Sequence, residues 1–180
     1  MTTFPHRLIG ASVLDVDTYE EVEADRGATA QALIVVVASS LAGGIGSAGL
    51  SGAGTPLVGS VLFWSTVSLI AWAAWALLVF EIGGRLLPEP ETRVDVGELM
   101  RTIGFSSAPG MLRIFGIVPA LAVPVFALTT LWMLVAMIVA VRQALDYRST
   151  ARAVGVCTLG LAFALIIAFA FGMFFGPAVS

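Results

Sequence analysis

The sequence contains no lysine, one cysteine and one histidine, and each shortage excludes a class of site. A single cysteine, Cys157, excludes an intrachain disulfide and a multi-cysteine metal centre. The lone histidine, His6, lies in the N-terminal tail, outside every long apolar run. A serine hydrolase of the membrane needs an imidazole beside its nucleophile, and a haem inside the bilayer usually needs an axial histidine. We therefore predict no enzymatic activity, no metal site and no cofactor.

Charge is also scarce in this chain. Only 12% of its 180 residues are charged, 58% are hydrophobic, and the mean hydropathy is +0.98. A soluble domain is about one quarter charged and about half apolar, so a water-soluble core of this size could not absorb the apolar surface. A net charge of −3 leaves no excess of cations for a phosphate-binding face, which argues against nucleic acid as a partner.

Long apolar runs are what the sequence has in abundance. Crossing a hydrocarbon core of about 30 Å takes about 20 apolar residues in a helix, because backbone polar groups must be satisfied internally. Residues 28–50, 57–80 and 154–175 each qualify and contain no charge. A fourth apolar region is too long for one helix and is interrupted by Pro109, Pro119 and Pro124, each of which removes a backbone donor.

We divide that fourth region into two segments, residues 109–122 and 124–141, and the distribution of arginine supports the division. Short cytoplasmic loops collect arginine. With five crossings, eight of the nine arginines lie on one side: Arg7, Arg26, Arg85, Arg93, Arg101, Arg142, Arg148 and Arg152. The ninth, Arg113, lies just inside the third segment. The sequence predicts an all-α, polytopic membrane helix bundle of about five transmembrane helices, with the N-terminus cytoplasmic and the C-terminus outside, in the cell inner membrane.

Residues 1–27 precede the first crossing and form the predicted cytoplasmic segment, whereas residues 28–180 form the membrane domain. The segment carries six acidic residues, which we interpret as a solvated face rather than a metal site, since they lack a regular ligand spacing. Thr18 and Glu21 have the spacing of a capping box, which predicts a short acidic helix over residues 19–25.

A second capping box is predicted between the second and third crossings, at Asp95 and Glu98. Apolar residues then recur at helical spacing over residues 95–105, with Glu98, Arg101 and Thr102 on the opposite face. This pattern is typical of a helix that lies in the plane of the inner leaflet.

Three arginines are candidate contacts with lipid or with a partner: Arg113, Arg142 and Arg148. The third segment spans only about 21 Å as a helix, so Arg113 either snorkels to the cytoplasmic headgroups or stays buried and pairs with Glu81, Glu98 or a lipid phosphate. Arg142 and Arg148 belong to a basic loop that would attract anionic lipid of the inner leaflet.

Small residues recur on two of the predicted crossings. Helices in lipid associate through close backbone approach, which small side chains permit. The first and last segments therefore supply our candidate packing residues, either for the bundle interior or for a partner subunit: Gly43, Gly46, Gly160, Ala164, Ala168 and Gly172.

The six residues from Gly104 to Pro109, Gly-Phe-Ser-Ser-Ala-Pro, resemble the Gly-Tyr-x-x-x-Pro element of the Yip (Ypt/Rab-interacting protein) family, with Phe105 in place of tyrosine. The stretch 141–148 is similar to bacterial members, and the similarity covers roughly residues 8–175. The resemblance implies five spans with a cytosolic N-terminus. Eukaryotic relatives bind small GTPases, but their Asp-Leu-Tyr-Gly-Pro-like element is absent here, so the resemblance does not imply GTPase binding.

These observations favour a non-catalytic membrane interaction protein that acts as a scaffold, an assembly factor or an accessory subunit. Its expected partners are membrane lipids and other membrane proteins. The alternative is a transporter or lipid-handling protein in which the interrupted third segment and Arg113 line a path for an anionic headgroup, as broken helices do in transporters.

Overall fold

The computed structural model describes residues 2–51 and 57–175. The helices in chain order are α1 (Phe4–Ser12), α2 (Val16–Ala24), α3 (Ala28–Gly46), α4 (Ala48–Ser51), α5 (Leu57–Val79), a π-helical turn (Phe80–Leu86), α6 (Val96–Ser106), a 3₁₀ helix (Ala108–Ile117), α7 (Pro119–Ala144) and α8 (Thr150–Phe175). Within the described ranges every regular element is helical. The predicted all-α class is confirmed.

Within residues 2–51 and 57–175, four stretches are long and apolar enough to cross a membrane: Ala28–Leu50, Val61–Leu86, Pro119–Ala144 and Thr150–Ile167. They correspond to the first, second, fourth and fifth predicted segments. Most of their large apolar side chains face outward, as expected where lipid takes the place of water. The helical membrane bundle is therefore confirmed, with one segment of a different kind.

The predicted division of the region after residue 108 needs correction. Ala108–Ile117 is a 3₁₀ helix, and α7 begins at Pro119, so Pro124 lies inside a helix instead of at its start. Pro119 occupies the first helical position, where its missing N–H would have had no partner in any case. Pro124 lies in the second turn, where it removes only one backbone bond near the end of a 26-residue helix.

Glycine contacts reveal the direction of each segment. Positions further along α3 and α4 contact positions further along α6 and the 3₁₀ helix, in the pairs Ala32 with Gly104, Ser39 with Gly110, Gly46 with Arg113, and Gly49 with Gly116. The two stretches therefore run in the same direction. α7 runs the opposite way, because Met133 contacts Gly110 and Phe126 contacts Gly116.

α5 also runs opposite to α3, since Val61 contacts Gly44 while Trp72 shares a cavity with Val36. α5 and α7 thus run in the same direction, so the chain between them must return across the bundle. The returning stretch is α6 followed by the 3₁₀ helix, whose ten residues alone rise about 20 Å. This geometry supports the five-crossing topology, which remains a prediction.

The predicted surface position of α6 is wrong. The capping box between Asp95 and Glu98 forms, but Arg101 and Thr102 are buried instead of facing water. Arg101 can be buried because its Nε donates to the carbonyl oxygens of Val22 and Glu23, at 3.1 and 3.0 Å, and so caps the end of α2. α6 can therefore pack in the core, because the C-terminal end of α2 supplies hydrogen-bond acceptors for the guanidinium of Arg101.

The N-terminal segment packs as a helical hairpin at the end of the bundle where α3 begins and α7 ends, here called the proximal end. Tyr19 and Val22 are fully buried against residues of α3 and α6. The predicted capping box at Thr18 does not form, because α2 begins earlier, at Val16, after Asp15. The Thr18 hydroxyl donates to Asp15, and Glu21 accepts from Thr2 and Arg7 instead.

Candidate functional site

The main candidate site is an open cavity of about 320 Å³ between α3, α5, α6, the 3₁₀ helix and α7. Its polar lining consists of four serines and one arginine: Ser39, Ser40, Ser68, Ser107 and Arg113. Apolar and sulfur-containing side chains, together with two tryptophans, complete the wall. The 3₁₀ helix positions Arg113 because its glycines let it enter between α3 and α7.

Arg113 lies deep in the bundle and does not snorkel toward the proximal end. Its stem contacts Gly43, which is about 22 Å along α3 from the start of that helix. Its Nε donates to Thr129 Oγ1 at 3.2 Å and its Nη2 to Thr130 Oγ1 at 2.9 Å, while its Cζ lies 5.3 Å from the centre of the Phe126 ring.

The two proposed acidic partners of Arg113 are engaged elsewhere. Glu81 pairs with Arg85 at 2.7 Å, and Glu98 accepts from the Asp95 N–H in the cap of α6. Within the described ranges no carboxylate lies at salt-bridge distance from Arg113. Two hydroxyl oxygens and the face of an aromatic ring surround its positive charge. No anionic side chain among the described residues neutralises that charge.

Three of the cavity serines lack the backbone hydrogen bond that threonines of the long helices form. A helical serine or threonine commonly donates to the carbonyl one turn earlier. Thr66, Thr129 and Thr158 do so. Ser39 and Ser40 are only 6% and 9% exposed, yet neither they nor Ser68 form a hydrogen bond with any described residue. Three hydroxyls are therefore free to serve a ligand.

Two indole N–H groups of the cavity also lack a hydrogen-bond acceptor. Trp72 and Trp75 line the cavity, and the Nε1 atom of each is buried without an acceptor among the described residues. Buried donors of this kind are normally satisfied by protein or by ordered water. With cationic and neutral donors and no carboxylate in its lining, the cavity is suited to an anion and unsuited to a cation.

The other two arginines predicted to contact lipid or a partner are not brought to this cavity. Arg142 donates through Nε to the carbonyl oxygen of Tyr147 at 3.3 Å. The Arg148 side chain is 76% exposed and pairs with Glu91 in the loop before α6. Both lie at the proximal end, far from Arg113.

The motif residues and small residues mostly serve contacts within the chain. Gly104 lies against Ala32, Phe105 is fully buried with its ring 6.4 Å from that of Phe4, and Pro109 is the second residue of the 3₁₀ helix. Gly43 and Gly46 face the 3₁₀ helix, and Gly160 faces Trp75. Ala164 is half-buried, whereas the packing predicted for Ala168 and Gly172 lies outside what the structure describes.

A second cavity, of about 440 Å³, lies at the proximal end and was not predicted from the sequence. Its walls include Arg142 and four carboxylates from two helices and one turn: Glu20, Glu23, Glu98 and Asp146. Burial, followed by repulsion from Asp146 and Glu98, raises the pKa of Glu23 to about 7. Among the described residues, no group of three histidine, cysteine or acidic side chains has a geometry that could hold a metal ion.

No sequence signal pointed to either cavity, because their residues are distant in the chain and individually ordinary. Ser39 and Ser68 belong to different apolar runs, and Glu23 and Asp146 are more than 120 positions apart in the sequence. Only Arg113 stood out, as a charge within an apolar segment.

Comparison with known proteins agrees with the fold. Neither the curated proteins nor the solved structures compared with this chain include a significant match. A family model described as the Yip1 domain matches residues 13–172, which include all four long apolar helices as far as Gly172 and the Gly104–Pro109 element. Because this match covers far more than half of the chain, the protein belongs to the Yip1 domain family.

Proposed function

We propose that this protein is a non-catalytic interaction protein of the membrane, acting as a scaffold, an assembly factor or an accessory subunit. Membership of the Yip1 domain family supports a non-catalytic membrane protein. The observation that carries the interaction role is the acidic cavity at the proximal end, which fits a basic side chain of another membrane protein.

Arg142 lines the same cavity, but none of the cavity's four carboxylates forms an ion pair with a described residue. Glu20 accepts a hydrogen bond from Gln143 at 3.1 Å, and Glu98 is used in the cap of α6. Neither Glu23 nor Asp146 forms an ion pair with a described residue. Because like charges repel Glu23, a cation from a partner would relieve that repulsion, and its docking would be favourable for that reason.

Affinity purification in mild detergent, followed by mass spectrometry, tests this role. We expect a stoichiometric co-purifying membrane protein, and we expect the double variant Glu23→Gln, Asp146→Asn to retain less than about one tenth of it, as for a loss near 1.4 kcal/mol. Asparagine tolerates the positive φ of 52° at position 146.

The matched control is Glu81→Gln, Glu91→Gln, which removes two carboxylates that are about half exposed and lie outside the cavity. This control should retain the partner in full. Recovery of a lone monomer would contradict the interaction role, and full retention by the cavity variant would contradict the cavity as its docking place.

We also propose that the protein spans the inner membrane of a bacterial cell five times, with its proximal end in the cytoplasm. The concentration of arginine at the proximal end supports this orientation. With Cys157 changed to alanine, a Ser149→Cys variant should resist an impermeant maleimide in intact cells, whereas Ser180→Cys should react. The reverse labelling pattern would refute five crossings.

A second function, transport or handling of a lipid, is favoured by one observation. Arg113 lies deep in the bundle, about 22 Å along α3 from the proximal end, with no anionic partner among the described residues. Charges at such depth are costly and usually mark a ligand pathway. This function predicts that flux of an anionic lipid depends on Arg113, and it is tested below together with binding.

A further inference from the structure

We infer that the Arg113 cavity binds the head of an anionic amphiphile, either a phosphate or a carboxylate attached to an apolar remainder. This inference deepens the lipid-handling function proposed above and rests on it only for the biological setting, since binding does not require transport. Four features of the cavity carry the inference: its cation, its free hydroxyls, its apolar wall and its opening.

The guanidinium of Arg113 has donors to spare. It carries five N–H groups, of which the structure uses one on Nε and one on Nη2. Nη1 has no acceptor among the described residues, and the side chain lines the cavity. A planar, partly satisfied guanidinium is the group that proteins use to hold phosphate and carboxylate in two-point contacts.

The free serines provide the rest of an anion-binding lining. Ser39, Ser40 and Ser68 come from two helices, α3 and α5, so their hydroxyls lie on walls different from the one that carries Arg113. Their failure to bond with the preceding turn leaves each O–H available to a ligand oxygen. Ser39 in addition lies against Gly110, where no side chain fits, and this contact leaves its position tightly defined.

The rest of the cavity wall is apolar, which indicates that the anionic group is attached to an apolar part of the ligand. Val36, Ile103, Met133 and Met137 are apolar, and with the two tryptophan rings they form most of the surface. A cavity of about 320 Å³ has the volume of roughly ten water molecules, so it accommodates a headgroup with its first carbons but not two acyl chains. The chains of a phospholipid would have to lie outside.

An opening toward lipid exists beside Arg113. Thr130, which accepts from Nη2, is exposed on the outer surface of α7, so the guanidinium reaches from the cavity to the lipid-facing side. A headgroup could therefore enter laterally while its chains remain among the exposed apolar side chains of α7. A free anion would instead have to arrive from water without an apolar part.

Binding can be measured with delipidated protein in a zwitterionic detergent, by native mass spectrometry and by the fluorescence change of the cavity tryptophans. The probes are phosphatidylglycerol, phosphatidylcholine, oleate and inorganic phosphate. We expect phosphatidylglycerol and oleate to bind at least tenfold more tightly than phosphatidylcholine. Binding of inorganic phosphate with equal affinity would identify a free anion as the ligand, and failure of all three anions would overturn the inference.

Variants separate a binding role for Arg113 from a purely structural one. Arg113→Gln should lower the affinity for phosphatidylglycerol at least tenfold, and Arg113→Lys should restore part of that affinity. The double variant Ser40→Ala, Ser68→Ala removes no hydrogen bond within the described residues, so it should fold normally and bind at least threefold more weakly. Unchanged affinity in this double variant would refute the cavity as the site. Arg85→Gln, at an arginine whose side chain is 63% exposed and does not line the cavity, should bind as the parent protein does.

Measurement of lipid flux in reconstituted vesicles distinguishes binding of the lipid from its transport. If the protein transports the lipid, Arg113→Leu should abolish the flux that the parent protein shows. Absence of flux in the parent, together with tight phosphatidylglycerol binding, would refute the transport function and leave the binding site intact.

Discussion

Gly46→Ala is expected to prevent stable folding, although it adds only one methyl group. A β-carbon at position 46 would lie 1.9 Å from the carbonyl oxygen of Arg113, well inside van der Waals contact. The obstacle is backbone, so α3 and the 3₁₀ helix would have to separate, and the neighbouring contact of Gly49 with the Gly116 carbonyl oxygen would be lost as well. Overpacking of this kind costs on the order of 3 kcal/mol or more.

The measurement is the yield of monodisperse protein in mild detergent, together with its thermal unfolding midpoint. Gly155→Ala is the matched control, because a β-carbon there meets nothing within 4 Å in the described structure. Alanine stabilises a helix by about 1 kcal/mol relative to glycine, so this control should be equal to the parent or more stable. Equal stability of Gly46→Ala and the parent would refute the close approach of α3 and the 3₁₀ helix.

Arg7→Met is expected to destabilise the N-terminal hairpin by about 2 kcal/mol, because it removes a buried cation and leaves two carboxylates facing each other. Arg7 is 1% exposed, and its Nη2 lies 2.9 Å from Glu21 Oε1 and 2.8 Å from Asp25 Oδ2. Its Nη1 also donates to Gln31 Oε1 at 3.2 Å, which ties the hairpin to the start of α3.

This loss should depend on pH in a definite direction. Hydrogen bonds from Thr2 and Arg7 lower the pKa of Glu21 to about 2, and the hydrogen bond from Arg7 lowers that of Asp25. Carboxyls whose pKa is lower in the folded state stabilise it above their ordinary pKa, and this contribution disappears as the pH falls through the folded value. The difference between parent and variant should therefore be complete at pH 7 and shrink from about pH 4 downward.

Thermal unfolding of both proteins in detergent between pH 7 and pH 3 provides this comparison. Arg148→Met serves as the control, since it breaks an exposed ion pair with Glu91 and should change stability by less than about 1 kcal/mol at every pH. Parallel pH curves for the parent and Arg7→Met would contradict the assignment of Arg7 as the partner of these carboxyls.

Features that depend on neighbouring residues were predictable from the sequence. Length and apolar character sufficed for the helices over residues 28–50, 57–80 and 154–175, because a backbone in lipid must satisfy its own hydrogen bonds within each segment. The Asp95–Glu98 cap forms as predicted, since its two hydrogen bonds join residues three positions apart. The Gly104–Pro109 element pointed to the family that the comparison confirms.

The sequence by itself thus determined that the protein is a membrane protein, that its fold is helical, and to which family it belongs. Only the tertiary structure decided that residues 108–117 form a 3₁₀ helix, that α6 is buried, and that Arg113 remains deep in the bundle without an acidic partner among the described residues. Each of these depends on pairs distant in the chain, such as Gly46 with Arg113 and Arg101 with Val22. Such pairs lie beyond any local pattern, because a glycine or an arginine has the same sequence signature whether or not another helix lies against it.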